Sequence, residues 1–184
     1  TVKAPALWVS LSGAAGTATA LGPQAAATRT ALADALGLED PGRSWHTDRG
    51  PDLRIAQWMS GVTATLAAFG DSLIGLTGSD TGEVTLGEAG ASSTLPQKQN
   101  PVAPSVLVAL NRQMTGLRAS LQASSAHQHQ REGAAWFTEW MVLPQIALST
   151  ASALETARAV MNDLTPHRDR MRENTGGLGL MYAE

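Results

Sequence analysis

The sequence has no cysteine, which excludes disulfide bridges and thiolate metal sites and accords with a reducing, cytoplasmic setting. It has no excess of positive charge. The net charge is −3, so nothing marks an electrostatic footprint for nucleic acid or an anionic membrane. There is no run of about eighteen apolar residues, and no membrane span is expected. Nor is there an initiator methionine or a signal-peptide pattern in TVKAPALW, so the chain is expected to begin partway through a gene product. What is present is a globular composition: 43% apolar and 16% charged over 184 residues, enough for one domain with a sizeable core. No internal repeat and no strand-like alternation stands out.

Helical periodicity dominates. From Pro51, Ile55, Met59, Val62, Leu66, Phe69, Leu73 and Leu76 advance in steps of three and four, placing them on one stripe of a long helix. Leu107, Leu110, Met114, Leu117 and Leu121 form a second stripe, with Asn100 as cap and Pro101 as first helical residue. A third runs through Trp136, Trp140, Leu143, Ala147, Thr150, Leu154, Ala157 and Met161, with Pro144 expected to kink it. Trp136 and Trp140 are read as core.

Shorter elements complete the chain. Residues 1–12 read as the end of a helix, Pro23–Leu36 as a helix stopped by Gly37, and 38–50 as a loop. Thr165-Pro166 opens a short basic helix closed by Gly176-Gly177, its basic run a solvated face. The fold class is therefore all-α. Small residues such as Thr63, Ala64, Ala67, Ala68 and Gly70 lie on the remaining helix faces. Helices that are small all round admit neighbours on several sides, which predicts a bundle completed by further copies in a homo-oligomer.

Between the first two long helices lies GASSTLPQKQNP, residues 90–101, too polar for a core and too rich in proline for a regular helix. A serine hydroxyl is hardly ionised near neutrality and needs nearby positive charge to act as a base. Lys98 would supply it to Ser92, and the N-terminus of the following helix, near Asn100, adds a positive dipole end and free amides. Lys98 and Asn100 could equally hold a substrate carboxylate, on which charge collects if an adjacent C–H is deprotonated. Gly87 and Gly90 give the loop room to close. From pattern alone, a serine-rich surface loop with a helix cap is the simpler account.

GASSTLPQKQNP, however, resembles GSSxMPxKxNP, the signature of the fumarase/aspartase superfamily, departing from it at Ala91 and Leu95. Further stretches resemble the superfamily's 3-carboxy-cis,cis-muconate cycloisomerase branch. SGAAGTATALG (12–22) looks like its GGAAGT segment, and SWHTDR (44–49) is similar to WHTQRDR, with Asp48 in place of glutamine and Gly50 in place of aspartate. TGEV (81–84), HQREGAAWFTEWMVLP (129–144) and MRENTGGLGLMYAE at the end extend the likeness over almost the whole chain.

The resemblance implies a long antiparallel helical bundle assembled as a homotetramer, with active sites shared between subunits. Residues 1–164 would be part of the central bundle with the signature loop at 79–103, and 165–184 the start of a small C-terminal helical domain. The N-terminal domain and the chain's far end would be missing, leaving the 184 residues inactive by themselves. Ser92 takes the general-base role by resemblance. Lys98, Asn100, Ser93 and Thr94 fall at or beside substrate contacts, and His46, Thr47, Arg49 and His129 in further active-site segments. The implied reaction is lactonisation of 3-carboxy-cis,cis-muconate, a small polycarboxylate, with no metal and no organic cofactor and no general acid assigned. An arginine fork suits such a substrate, but Trp45 and His46 serve as well to pack the loop, and His129 to start a helix. His127 and His129, two apart, do not face together on a helix. Alternatives are another lyase of the superfamily, such as adenylosuccinate lyase, and a non-catalytic bundle with a decayed loop.

Overall fold

The computed structural model describes residues 7–87, 90–91, 99–130 and 132–178. A 3-10 segment, Thr19–Gln24, leads into α1 (Ala25–Leu36), followed by α2 (Gly50–Leu76), α3 (Val102–Ala123), α4 (Gly133–Asp163) and α5 (Arg168–Leu178). The strands among the described residues are each two residues long. Antiparallel pairing joins β1 (Val84–Thr85) to β4 (Thr165–Pro166), and β2 (Gly90–Ala91) to β3 (Gln99–Asn100). The all-α expectation holds. The chain packs as two compact units, Thr1–Ser60 with Thr115–Ala147, and Gly61–Met114 with Leu148–Glu184.

In the first unit, α1 ends as its sequence dictates. Gly37 takes φ 64° and its N–H reaches back to Ala33 and Asp34, a left-handed cap that glycine adopts without strain. Asp40 then accepts hydrogen bonds from Arg29 (2.5 Å), Thr30 (2.8 Å) and the Gly42 amide (2.9 Å). The Arg29 bond, above all, holds its carboxyl below the ordinary value. Residues 7–12 are not the helix end expected of them. Val9 N–H donates to Glu39 O, and Glu39 N–H to Leu7 O, both at 2.9 Å, making a parallel bridge between Trp8 and Glu39. Val9, only 2% exposed, is anchored by burial while backbone bonds settle the extended conformation. Residues 1–6 lie outside the described residues.

In the second unit, Leu73, Val84, Leu86 and Val160 form one buried cluster, and Leu107, Ala153 and Ala157 another. The second stripe is confirmed in detail, with Leu107 and Met114 fully buried. Its start is displaced by one residue. Pro101 lies outside the helix, its carbonyl accepting the Ser105 amide (3.0 Å), so Pro101 stands at the cap position and Asn100 belongs to β3. Thr165-Pro166 likewise forms β4 rather than opening a helix, and Gly176 and Gly177 lie within α5. Long-range bonds fix that segment. Thr85 meets the His167 ring, Arg170 donates to Asp80 O and Thr81 O, and Asn174 donates to Thr81 O and Glu83.

The third stripe is in the wrong phase. Along α4 the buried line is Ala135, Glu139, Val142, Ile146, Ser149, Thr150, Ala153, Ala157 and Val160. Trp140, Leu154 and Met161, assigned to the core by periodicity, are exposed, Trp140 by 62%. This helix is apolar on both faces. The side with small residues packs within the chain because close helix approach needs small volume, and the bulky residues are left outward. By length and composition α2 is also apolar enough to cross a membrane, contrary to the expectation drawn from the lack of an uninterrupted apolar run. Its apolarity is diluted by Gly, Ala and Thr, and its buried line includes Ala56, Thr63, Ala67 and Leu73.

Where α2 meets α3 at Gly70, a methyl group on that glycine would lie 2.7 Å from Pro104 O and 3.2 Å from Leu107 Cβ. Backbone must then shift, so Gly70→Ala is expected to cost about 1–3 kcal/mol despite the better helix propensity of alanine. Denaturant unfolding of the two proteins measures the difference, and an unchanged midpoint would refute the close approach.

Candidate active site

The signature stretch is held at its root. Gly90 pairs with Asn100 and Ala91 with Gln99, so the chain on either side of 92–98 is closed by a two-residue ladder. The second arm then runs through Asn100 and Pro101 directly into the N-terminus of α3. A helix of 22 residues therefore begins two residues beyond Asn100, with unsatisfied amides and the positive dipole end at the foot of the loop. Asn100 is half-buried. Ser92, Ser93, Thr94 and Lys98 lie outside the described residues. Upstream, Gly87 leaves room for Asp163, whose Cβ would stand 2.9 Å from a Cβ on residue 87. These two residues help line a cavity of about 340 Å³ with Val102 and Val106.

In the first unit, two motifs that are far apart in sequence come together. Ser44 donates to Ser12 (2.8 Å), and the Trp45 indole N–H donates to Val9 O (2.8 Å). Gly16, at φ 77°, lies so close to His46 that a methyl there would stand 3.2 Å from the His46 Cβ. Gly16, Thr17, Arg43, His46, Thr47 and Gln130 share a cavity of about 310 Å³. His46 turns its ring edge toward Trp136 at 6.1 Å, and its Nε2 is buried with no hydrogen-bond partner among the described residues.

Arg49 does not open into this cavity as a free fork. Its Nε and Nη2 donate to the two oxygens of Glu139 (2.6 and 2.9 Å), Nη2 also meets Asp52 at 2.5 Å, and Nη1 donates to His46 O at 3.5 Å. The fork predicted for a substrate carboxylate is here closed on protein carboxylates. One guanidinium thus serves two acids. Burial pushes the Asp52 carboxyl above the ordinary value, Arg49 opposes the shift, and Glu139 and Asp48 add to it. Asp48 is shifted down, first by the Arg43 hydrogen bond and then by the Gly50 amide it caps.

Of the two neighbouring histidines, His129 is exposed, whereas the His127 side chain is 1% exposed with Nε2 3.9 Å from Glu139. Neither His127 nitrogen has a hydrogen-bond partner among the described residues. His46, Thr47 and Arg49 are therefore brought together in the first unit, while Asn100 belongs to the second. Glu139, Asp52 and His127 were missed from sequence. Glu139 had a signal: it is the single carboxylate on the buried line of α4, and a buried carboxylate requires a partner. Among the described residues no group of three His, Cys, Asp or Glu side chains could hold a metal.

No protein-family model matches the chain. It is 37% identical over 182 residues to 3-carboxy-cis,cis-muconate cycloisomerase of Pseudomonas aeruginosa, covering 97% of this chain and 40% of that protein. It is 31% identical to trans-aconitate decarboxylase 1 of Mycosarcoma maydis, over 94% of this chain and 36% of that one. The crystal structure of 3-carboxy-cis,cis-muconate lactonizing enzyme from Pseudomonas putida superposes with a TM-score of 0.82 at 32% identity, covering 95% of this chain and 39% of that one. The chain thus spans about two fifths of the length of the relatives it matches.

The strained charge of Asp52 gives a pH-dependent signature. An acid whose folded value is raised contributes stability that is complete below its unfolded value, near 3.8, and is lost as pH rises through the folded value. Asp52→Asn lacks this loss. Relative to wild type, the variant should gain stability as pH rises above about 4. Thermal melts across that range test it, and a difference that does not change with pH would contradict the assignment.

Proposed function

The chain is a homologue of fumarase/aspartase-superfamily enzymes and carries their helical fold, and from that premise we propose that the protein is a 3-carboxy-cis,cis-muconate cycloisomerase of the cytoplasm. One carboxylate of the substrate adds across a double bond within the same molecule, forming a C–O bond and closing the lactone. The neighbouring carbon, alpha to another carboxylate, takes up a proton. In reverse, that proton is removed and the C–O bond breaks. Ser92 carries the proton in both directions. Lys98 and Asn100, with Ser93 and Thr94 beside them, hold the carboxylate on which charge collects before protonation, and the amides at the start of α3 add to that field. His46 and Thr47, on the loop that Arg49 holds, and His129 are further contacts for the polycarboxylate. The chemistry needs neither metal nor organic cofactor.

The observation that carries this reading is the signature stretch itself, bracketed by the β2–β3 pairing and leading straight into α3. Another superfamily reaction keeps a place because a relative of comparable identity, trans-aconitate decarboxylase 1, has a different chemistry. The full-length protein should therefore consume 3-carboxy-cis,cis-muconate, followed by ultraviolet absorbance, faster than trans-aconitate or a succinyl-purine. Ser92→Ala should lower kcat by about a hundredfold or more. A variant that keeps its turnover would remove Ser92 from the role, and preference for either other substrate would replace the proposed reaction.

The partner is a second copy of the chain in a homotetramer. Phe137, Trp140, Met141 and Leu148 are exposed along α4, Leu148 by 69%, and water-facing bulk of this kind marks an association surface. Replacing Trp140 and Leu148 by aspartate should convert the full-length assembly to smaller species in sedimentation velocity. An unaltered sedimentation coefficient would place the interface elsewhere.

A further inference from the structure

The segment carrying His46 and Thr47 has no helix or strand of its own between Pro41 and Arg49. Its position is set from outside, and α4 supplies two attachments. Trp136 meets the His46 ring, and Glu139, three residues on and so on a neighbouring part of the same helix face, takes the Arg49 fork through both oxygens. Arg49 in turn reaches back to the His46 carbonyl. The buried His127 lies near the same carboxylate, its Nε2 3.9 Å from Oε1. A buried ion pair is weak evidence for stability, since desolvation offsets much of its attraction. What a two-oxygen fork does supply is a fixed direction.

We propose that Glu139 is a positioning residue that aims His46 and Thr47 into their cavity through Arg49. The inference rests on the reading of His46 and Thr47 as substrate contacts. Glu139 itself does not touch substrate. Its effect is on how well the loop is set before substrate arrives, which makes it a determinant of binding more than of the proton transfer.

Two substitutions in the full-length protein isolate this role. Glu139→Gln keeps the shape and removes the charge, whereas Arg49→Lys keeps the charge and removes the fork. For either, KM for 3-carboxy-cis,cis-muconate should rise about tenfold with kcat within about twofold. The double variant should be no worse than either single one, because both break the same link. Amide hydrogen exchange over residues 44–49 should quicken while α1 keeps its protection. Loss of kcat equal to the rise in KM, faster exchange throughout the fold, or unchanged exchange over 44–49 would each overturn the proposal. Should Glu139→Gln fail to fold, Arg49→Lys makes the same comparison. A wild-type protein that ignores the muconate would defeat the proposed reaction, and the exchange measurement would still decide the role of Glu139.

Discussion

Arg49 stands between Asp52, one helical turn further along α2, and Glu139, far along the chain on α4. Both acids are largely withdrawn from water, and the cost of that withdrawal is met by a single cation with a planar, multi-donor head. A lysine could contact the same groups as a point charge but could not offer Glu139 the planar two-donor fork. Because the guanidinium contacts all three, the start of α2, the 44–49 loop and α4 are tied to one another within the first unit. Burial, above all, holds the Asp52 carboxyl above its ordinary value, and Arg49 opposes that shift.

Much of this architecture was legible from spacing, and the misses have a common cause. The α3 stripe was read correctly because its buried residues are also its large apolar ones, Leu107, Met114 and Leu121. On α4 hydropathy and burial part company. Its inner line is small or polar, from Ala135 and Glu139 to Ser149, Thr150 and Ala153, and its outer line is bulky. A pattern read in hydrophobicity alone must take the wrong face of such a helix. The right signal was volume, together with one carboxylate that had to find a cation. The extended segment at 7–12 and strands β1 and β4 were invisible for another reason: their bonds join residues far apart in sequence. Local propensity carries no record of such partners.

The site residues were legible in kind but not always in use. Histidine and threonine at 46 and 47 do gather beside the SGAAGT segment in the first unit, whereas Arg49 turns to Glu139 and Asp52. Which groups arginine would grip could not be known, because neither Glu139 nor Asp52 adjoins it in the motif. Of the two histidines near the start of α4, the resemblance pointed to His129 and gave His127 no role. Burial encloses His127 and leaves His129 at the surface. One departure from the superfamily pattern gains an explanation here. Asp48 takes the Arg43 donor and caps the amide of Gly50, and a methyl on residue 50 would lie 2.9 Å from an Asp48 oxygen. Aspartate at 48 and glycine at 50 therefore fit each other, and neither by itself is a sign of decay.

The same reasoning applies to Ala91, the other departure. Glycine beside a catalytic serine is easily taken as the source of a loop's freedom, which would make alanine a stiffening defect. Ala91 lies in β2, opposite Gln99, in an extended backbone that alanine adopts without strain. Replacing glycine there reduces the freedom of the unfolded chain and leaves the paired conformation untouched, which favours the closed root of the loop by a few tenths to about 1 kcal/mol. For the role proposed for Ser92, freedom at position 91 is not what is required. A serine becomes a useful base only if its charge partners keep returning to the same place, and a root fastened to the start of α3 serves that need better than a slack one.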